Sequence, residues 1–169
     1  MPLHPVGGRV PRLEPGVFVA DGARVVGDVH IARDASIWYN AVLRGDINRI
    51  TVGERTNIQD AAVVHVTGEL PALIGRDVTV GHGAIVHACT VGDGCLIGMG
   101  SVVLDGAVIG AGSLVAAGAV VLQQVRVPEG SLVAGIPGRV IRPLSPEERE
   151  QLLESARHYV EYARSVKGP

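Results

Sequence analysis

From Val19 onward most of this chain can be written in sixes, each opening on an aliphatic residue. "VADGAR", "VVGDVH", "IARDAS", "IWYNAV" and "LRGDIN" run without a break from Val19 to Asn48. After a three-residue slip come "VGERTN" and "IQDAAV", then Val64. After a longer insertion come "IGRDVT", "VGHGAI" and the shortened "VHACT". "VGDGCL", "IGMGSV", "VLDGAV", "IGAGSL" and "VAAGAV" follow in one phase from Val91, and "VPEGSL" and "VAGIPG" close the series. Each hexad reads aliphatic, often Gly or another small residue, two variable positions, a small residue, then any residue. Period six matches neither an amphipathic helix nor an alternating strand. It matches coils of parallel β-structure in which each hexad forms one short flat side. The aliphatic first residue and the small fifth residue then point inward, and glycines permit the corners. One hexad cannot bury its own apolar side, so the coils must stack. An antiparallel sandwich would need hairpin signals and stronger alternation.

The expected fold is therefore all-β: a parallel β-helix of hexapeptide repeats followed by a C-terminal α-helix. In the hexapeptide fold three hexads make one triangular coil and the winding is left-handed, against the general right-handed crossover rule. The β-helix is assigned to residues 1–143 and the helical tail to residues 144–169. In the tail, Ser145 is placed to cap a helix, with Pro146 at its first position and Glu148 completing an S-x-x-E capping box. Leu152, Leu153, Ala156, Tyr159, Val160 and Ala163 recur at helical spacing, and this stripe is expected to pack on the β-helix or across a subunit boundary. Composition agrees with a narrow, regular interior: 47% of residues are apolar, but only 3% are aromatic. A net charge of −2 gives no reason to expect nucleic acid or an anionic membrane as a partner. No run of residues suits a membrane span or a signal peptide. Cys89 and Cys95 read as free, core-packed thiols of a cytoplasmic protein.

Three of the six histidines fall within residues 65–87. His65 is the second residue of the hexad at Val64, and His87 is the second residue of the hexad at Val86. Three hexads separate those starts, so the two histidines occupy the same slot one coil apart. Adjacent parallel strands lie about 4.8 Å apart, close enough for two imidazoles to reach one metal ion. His82 is the third residue of the preceding hexad and lies towards a neighbouring face. It is expected to join its counterparts across an interface, around a threefold axis. The same counting puts Arg44 beneath His65 and Asp60 beneath His82, with Gln59 alongside. Arg44 is expected to pair with Asp46 or Asp60 across the boundary.

The repeats, "RGD" at residues 44–46, "NIQD" at 57–60, His65, "GHGAIVH" at 81–87 and "VAGIPGRVIR" before a capped helix resemble the gamma-class carbonic anhydrase family over nearly the whole chain. The spaced histidines with "RGD" and "QD" are the specific part. The repeats and the "AGIPGR" ending also occur in hexapeptide acyltransferases. The resemblance implies a homotrimer with a metal ion at each interface, held by His65 and His87 of one subunit and His82 of the next. It implies a site role for Arg44 and Asp46, a place for Gln59 beside the metal-activated water, and Asp60 as the arginine's partner. It also implies that Tyr159 approaches the site from the C-terminal helix. Three neutral imidazoles leave an open position on a tetrahedral zinc for water. That water, made acidic, could attack CO2 and give bicarbonate, an effect that carbonic anhydrases themselves exemplify. Fe2+ or Co2+ would also suit three histidines.

The chain departs from the family's fuller pattern in two places. Ile47 follows "RGD" where a glutamate is usual, and the loop "VTGELPAL" is short, with Glu69 as its one acid and candidate proton shuttle. Two other functions fit the repeat. One is a hexapeptide acyltransferase or thioesterase acting on acyl-CoA, which leaves the three-histidine pattern unexplained. The other is a non-catalytic trimer stabilised by metal.

Overall fold

A computed structural model describes residues 3–167. Residues 1, 2, 168 and 169, which the sequence assigns to the ends of the β-helix and the tail, lie outside the described residues. The chain winds as a parallel β-solenoid with three faces and ends in one helix.

The first face stacks Phe18–Val19, Ser36–Ile37, Asn57–Ile58, Thr79–Val80, Leu96–Ile97, Leu114–Val115 and Ser131–Ala134. The second and third faces form one twelve-stranded sheet, joined by the long strands Arg24–Ile31 and Val42–Val52, which turn from one face to the other. Most strands are two or three residues long. That length follows from the hexad, which leaves room for a pair of extended residues between corners.

The interior is as the hexads require. First-position residues such as Ile37, Leu43, Ile58, Val64, Val86 and Ile97 are fully enclosed. Fifth-position residues such as Ala41, Ala62, Ala84, Cys95 and Ser113 fill the space beside them. No aromatic side chain enters this core. Phe18 and Trp38 instead form a second cluster with Ala20 and Ala163, between the first face and the helix. Trp38 meets Phe18 and Tyr159 edge-on at 5.2 and 5.3 Å, and its indole N–H donates to Ser36 Oγ at 2.9 Å.

The helix runs Pro146–Lys167 and lies against the strands at residues 18, 36, 57 and 79 of the first face. Its capping box is formed: Glu148 N–H donates to Ser145 Oγ at 3.2 Å, and Ser145 N–H donates to Glu148 Oε2 at 2.8 Å. Leu152, Ala156 and Ala163 are buried, as the stripe predicts.

Two segments differ from the hexad reading. The "slip" after Asn48 is part of one continuous eleven-residue strand, Val42–Val52, whose parallel partner Arg24–Ile31 carries an irregularity between Gly27 and Val29. The last hexad, "VAGIPG", does not start a new coil. The chain reverses there, and Arg139–Pro143 pairs antiparallel with Ser131–Ala134. No described helix is long and apolar enough to cross a membrane.

Candidate metal centre

The register of the second face puts the candidate residues in two rows. Parallel pairing aligns Val26, Arg44, His65 and His87 at the edge where the second face turns into the third. The other edge, where the first face turns into the second, carries Tyr39, Asp60, His82 and Met99 one above another. Their carbonyls accept the turn amides of Ala61, Gly83, Gly100 and Gly118 respectively. Gly83 follows His82 with φ +65°, a backbone shape that glycine adopts without cost. Asp60 lies beneath His82 as the count requires, because Ile58 pairs with Val80.

Each histidine is braced by a carboxylate. His82 Nδ1 lies 2.7 Å from Asp60 Oδ2, and His87 Nδ1 lies 2.5 Å from Asp105 Oδ1. His65 Nε2 lies 3.3 Å from Asp46 Oδ1. A carboxylate only accepts, so each of those ring nitrogens carries the hydrogen. The nitrogens left without hydrogen are Nε2 of His82, Nε2 of His87 and Nδ1 of His65. The last two face each other at 3.0 Å.

Two bare nitrogens at that distance repel unless a cation lies between them. A shared proton is one candidate, but burial and the Arg44 charge hold His65 below its ordinary value of 6.5, against the pull of Asp46. A metal ion is the other. Nitrogens bound about 2.0–2.1 Å from a tetrahedral ion stand about 3.3 Å apart, close to the spacing found. Hydrogen-bonded histidines of this kind are the usual form of metal-ligating imidazole. The donor set therefore fits a divalent metal with a preference for nitrogen. Among the described residues of one chain, no three His, Cys, Asp or Glu are placed to hold one ion. His82 lies on the other edge of the face, apart from the His65–His87 pair.

Arg44 does not reach Asp60 in the chain. It forms its ion pair with Asp46, two residues on in the same strand. Burial tends to raise the Asp46 pKa, but hydrogen bonds from Arg44 and His65 hold it below 3.8. Arg9 also binds this corner, donating to the Asp46 carbonyl at 2.7 Å.

Gln59 is buried, and its amide N–H donates to Asn57 Oδ1 at 3.1 Å. Asn57 in turn donates to Thr79 Oγ1 at 2.9 Å. Gln59, His82, Met99, Ser155 and Tyr159 line one groove of 390 Å³ with Leu96 and Leu114 in its walls. Burial, then the Asp60 charge, raise the Tyr159 phenol above its ordinary 10, so it remains an O–H. Tyr159 lies on the His82 side, edge-on to Trp38. Glu69 lines a separate cavity with Arg9, Asp28, Ile47, Asn48 and Arg49. The loop carrying it is tied down by Asn48, whose amide donates to the carbonyls of Thr67 and Gly68 at 3.1 and 3.2 Å.

Sequence reasoning missed Asp105. It is the third residue of the hexad at Val103, which stacks on the hexad of His87. The signal was present in the register, one coil on and one position along, but no motif marks it.

Comparison with known proteins identifies the family of the chain. Residues 88–123 match the family model "Bacterial transferase hexapeptide (six repeats)", and residues 71–104 match "Hexapeptide repeat of succinyl-transferase". The chain is 47% identical to "Gamma carbonic anhydrase 2, mitochondrial" of Arabidopsis thaliana over 95% of its own length. It spans 60% of the length of that plant protein. It is 47% identical to the "Probable carbonic anhydrase" of Methanocaldococcus jannaschii, covering 91% of this chain and 97% of that one. In three dimensions it is similar to a hexapeptide transferase family protein from Anaplasma phagocytophilum, with a TM-score of 0.93, 45% identity and 96% of each chain covered. The bare hexapeptide repeat is common to anhydrases and acyltransferases, but identity near one half across both chains is not a property of the repeat alone. This chain belongs to the gamma-class carbonic anhydrase family.

Proposed function

We propose that the protein catalyses the reversible hydration of CO2 to bicarbonate at a metal centre shared between subunits of a homotrimer. His65 and His87 of one subunit and His82 of the next would hold the ion. Zinc is the proposed metal, with Fe2+ or Co2+ as the alternatives that suit the same ligands. The observation that carries the proposal is the 3.0 Å approach of His65 Nδ1 to His87 Nε2, with the opposite nitrogen of each ring on a carboxylate. A divalent ion in a three-nitrogen site supplies acidity, lowering the pKa of a water in its open position towards neutrality, as carbonic anhydrases themselves exemplify.

The chain's own residues do the rest. Gln59 gives one amide N–H to Asn57, and its Oε1 and second N–H would serve to hydrogen-bond and orient the attacking water. Asp46 keeps the hydrogen on Nε2 of His65, and Arg44 balances the Asp46 charge. Asp60 does the same for His82 at Nδ1. Tyr159 adds a phenolic O–H to the groove that holds Gln59 and His82. Hydration joins a water oxygen to the carbon of CO2 and releases one proton, which a carboxylate must carry away. Glu69 is the candidate.

The shape of the second face supports the shared site. Between its two edges, the outward row begins at Arg24 and continues as Val42, Val63, Ile85, Val102 and Val120, an apolar strip joined by parallel pairing. His65 and His87 flank it on one side and His82 on the other. A second copy laid against this strip could bring its opposite edge to the His65–His87 pair.

Stopped-flow CO2 hydration tests the proposal, using protein loaded separately with zinc and with anaerobic ferrous iron. Turnover that His82→Ala abolishes is the expected result. Absence of turnover in protein carrying about one metal ion per chain would refute it. A second reading, acyl transfer with His82 as the base, draws on the apolar groove beside His82. It predicts acyl-CoA turnover in protein stripped of metal.

A further inference from the structure

Asp105 lies outside every motif of the candidate site, yet it makes the shortest contact of the three carboxylates that brace the histidines. Its Oδ1 is 2.5 Å from His87 Nδ1, against 2.7 Å for Asp60 and His82 and 3.3 Å for Asp46 and His65. Asp105 occupies the corner after the next strand of the same face, Val102–Val103, which pairs with Ile85 and Val86. The neighbouring turn amides are in use: Gly106 N–H donates to the Ala88 carbonyl, and Gln124 N–H donates to the Asp105 carbonyl. Those bonds fix the corner and leave the Asp105 carboxylate to face His87. Both side chains are a little over one quarter exposed, so the contact is neither fully solvated nor sealed.

A neutral imidazole exchanges its hydrogen between two nitrogens, and which one carries it depends on its partners. Only one neutral form of His87 both donates to the Asp105 carboxylate and leaves Nε2 free to bind a metal ion beside His65. With the hydrogen on Nδ1, His87 turns a lone pair on Nε2 towards His65. With the hydrogen on Nε2, it would present an N–H there and place its lone pair against the carboxylate.

We infer that Asp105 is a positioning residue that fixes His87 as the Nδ1–H tautomer with Nε2 directed at His65, and so sets the metal affinity of the centre. The inference rests on the proposed function for its second half only, because the tautomer is a property of the metal-free chain. Outer carboxylates of this kind change metal affinity about 10- to 100-fold in other proteins. Asn at this position keeps an oxygen acceptor but loses the charge, whereas Leu keeps the bulk and loses both.

The two halves are tested separately on the full-length chain. In metal-free protein, long-range 15N–1H correlations should show His87 with its hydrogen on Nδ1. In Asp105→Leu the signal should move towards the Nε2–H form, with Asp105→Asn between. A wild-type His87 that is mainly Nε2–H overturns the inference. Competition with a chromophoric chelator for Co2+ should show affinity lower by about 10- to 100-fold in Asp105→Leu, partly restored in Asp105→Asn. The visible spectrum of bound Co2+ should also change while the far-UV circular dichroism spectrum stays that of wild type, a combination that loss of fold would not produce. Equal affinity in wild type and both variants overturns the inference while leaving the centre itself standing. A wild-type protein that binds no Co2+ refutes the metal centre, and the tautomer measurement still decides the role of Asp105.

Discussion

At the scale of single residues, the candidate centre is a set of imidazoles each turned by one carboxylate. Slot counting stacked His87 on His65 and put Asp60 beneath His82, and the register agrees, whereas a site role for Asp46 came from the resemblance. The sequence hid Asp105, because a carboxylate that acts through another residue has no spacing rule of its own. It offered Asp46 or Asp60 as the partner of Arg44 across a boundary, and within one chain Arg44 closes on Asp46 in its own strand. Glu69 is the residue whose role is most open to test. It shares its cavity with Arg9 and Arg49, and with Ile47, the neighbour of Asp46. If Glu69 carries the proton away, Glu69→Gln should lower turnover about 100-fold in weak buffer, the lower end of what positioned proton transfer contributes. Added imidazole should restore it. Equal rates for variant and wild type in weak buffer would remove Glu69 from the mechanism. Cys89 and Cys95 take no part: burial pushes their thiols up to about 12 and about 11, so both stay protonated core residues.

At the scale of elements, hexad strands were legible and their exceptions were not. Each coil repeats the same demand for an aliphatic and a small inward residue, so the pattern survives variation elsewhere. The eleven-residue strand at Val42–Val52 breaks it, because a chain that stays extended around a corner needs no corner residues. The closing hairpin escaped because "VAGIPG" still places Val133 inward in register with Val115. The helix was readable from its cap, and the cap gives a measurable test. Ser145→Ala removes the oxygen that accepts from Glu148 N–H and should cost about 1 kcal/mol. The acid limb of the same motif has a definite sign. Hydrogen bonds from Arg142 and then from Ser145 N–H hold Glu148 at about 2, below its ordinary 4.5. Its contribution to stability is therefore complete above pH 4.5 and is lost as pH falls towards 2. The melting-temperature difference between wild type and Glu148→Gln should shrink across that window. A difference that stays constant from pH 6 to pH 2 would show that the Arg142–Glu148 pair does not stabilise the helix.

At the scale of the whole molecule, the separation of the histidines is the decisive feature. One copy holds two of them on one edge of a face and the third on the other edge, so the proposed centre would be completed only by association. Solvent-facing β-helix surfaces carry polar residues where they can, as the third face does with His30, Thr51 and Thr90 in its outward row. The strip from Val42 to Val120 on the second face has no such residue, and Ile85 at its middle is 39% exposed in one copy. Contact with a second copy would cover it. Placing a charge there should separate the copies without touching any ligand, because a buried, unpaired carboxylate is strongly disfavoured. Val63→Asp combined with Ile85→Asp should yield a monomer by light scattering, with the β-rich circular dichroism spectrum kept. Each monomer still carries His65, His82 and His87. Its metal affinity should nevertheless fall by more than about 100-fold, beyond the loss of a supporting carboxylate, since one of three ligands is out of reach. Raising the protein concentration of a milder variant, Ile85→Ser, should recover metal binding and assembly together. A monomer that retains wild-type affinity would place all ligands within one chain, and the shared centre would have to be abandoned.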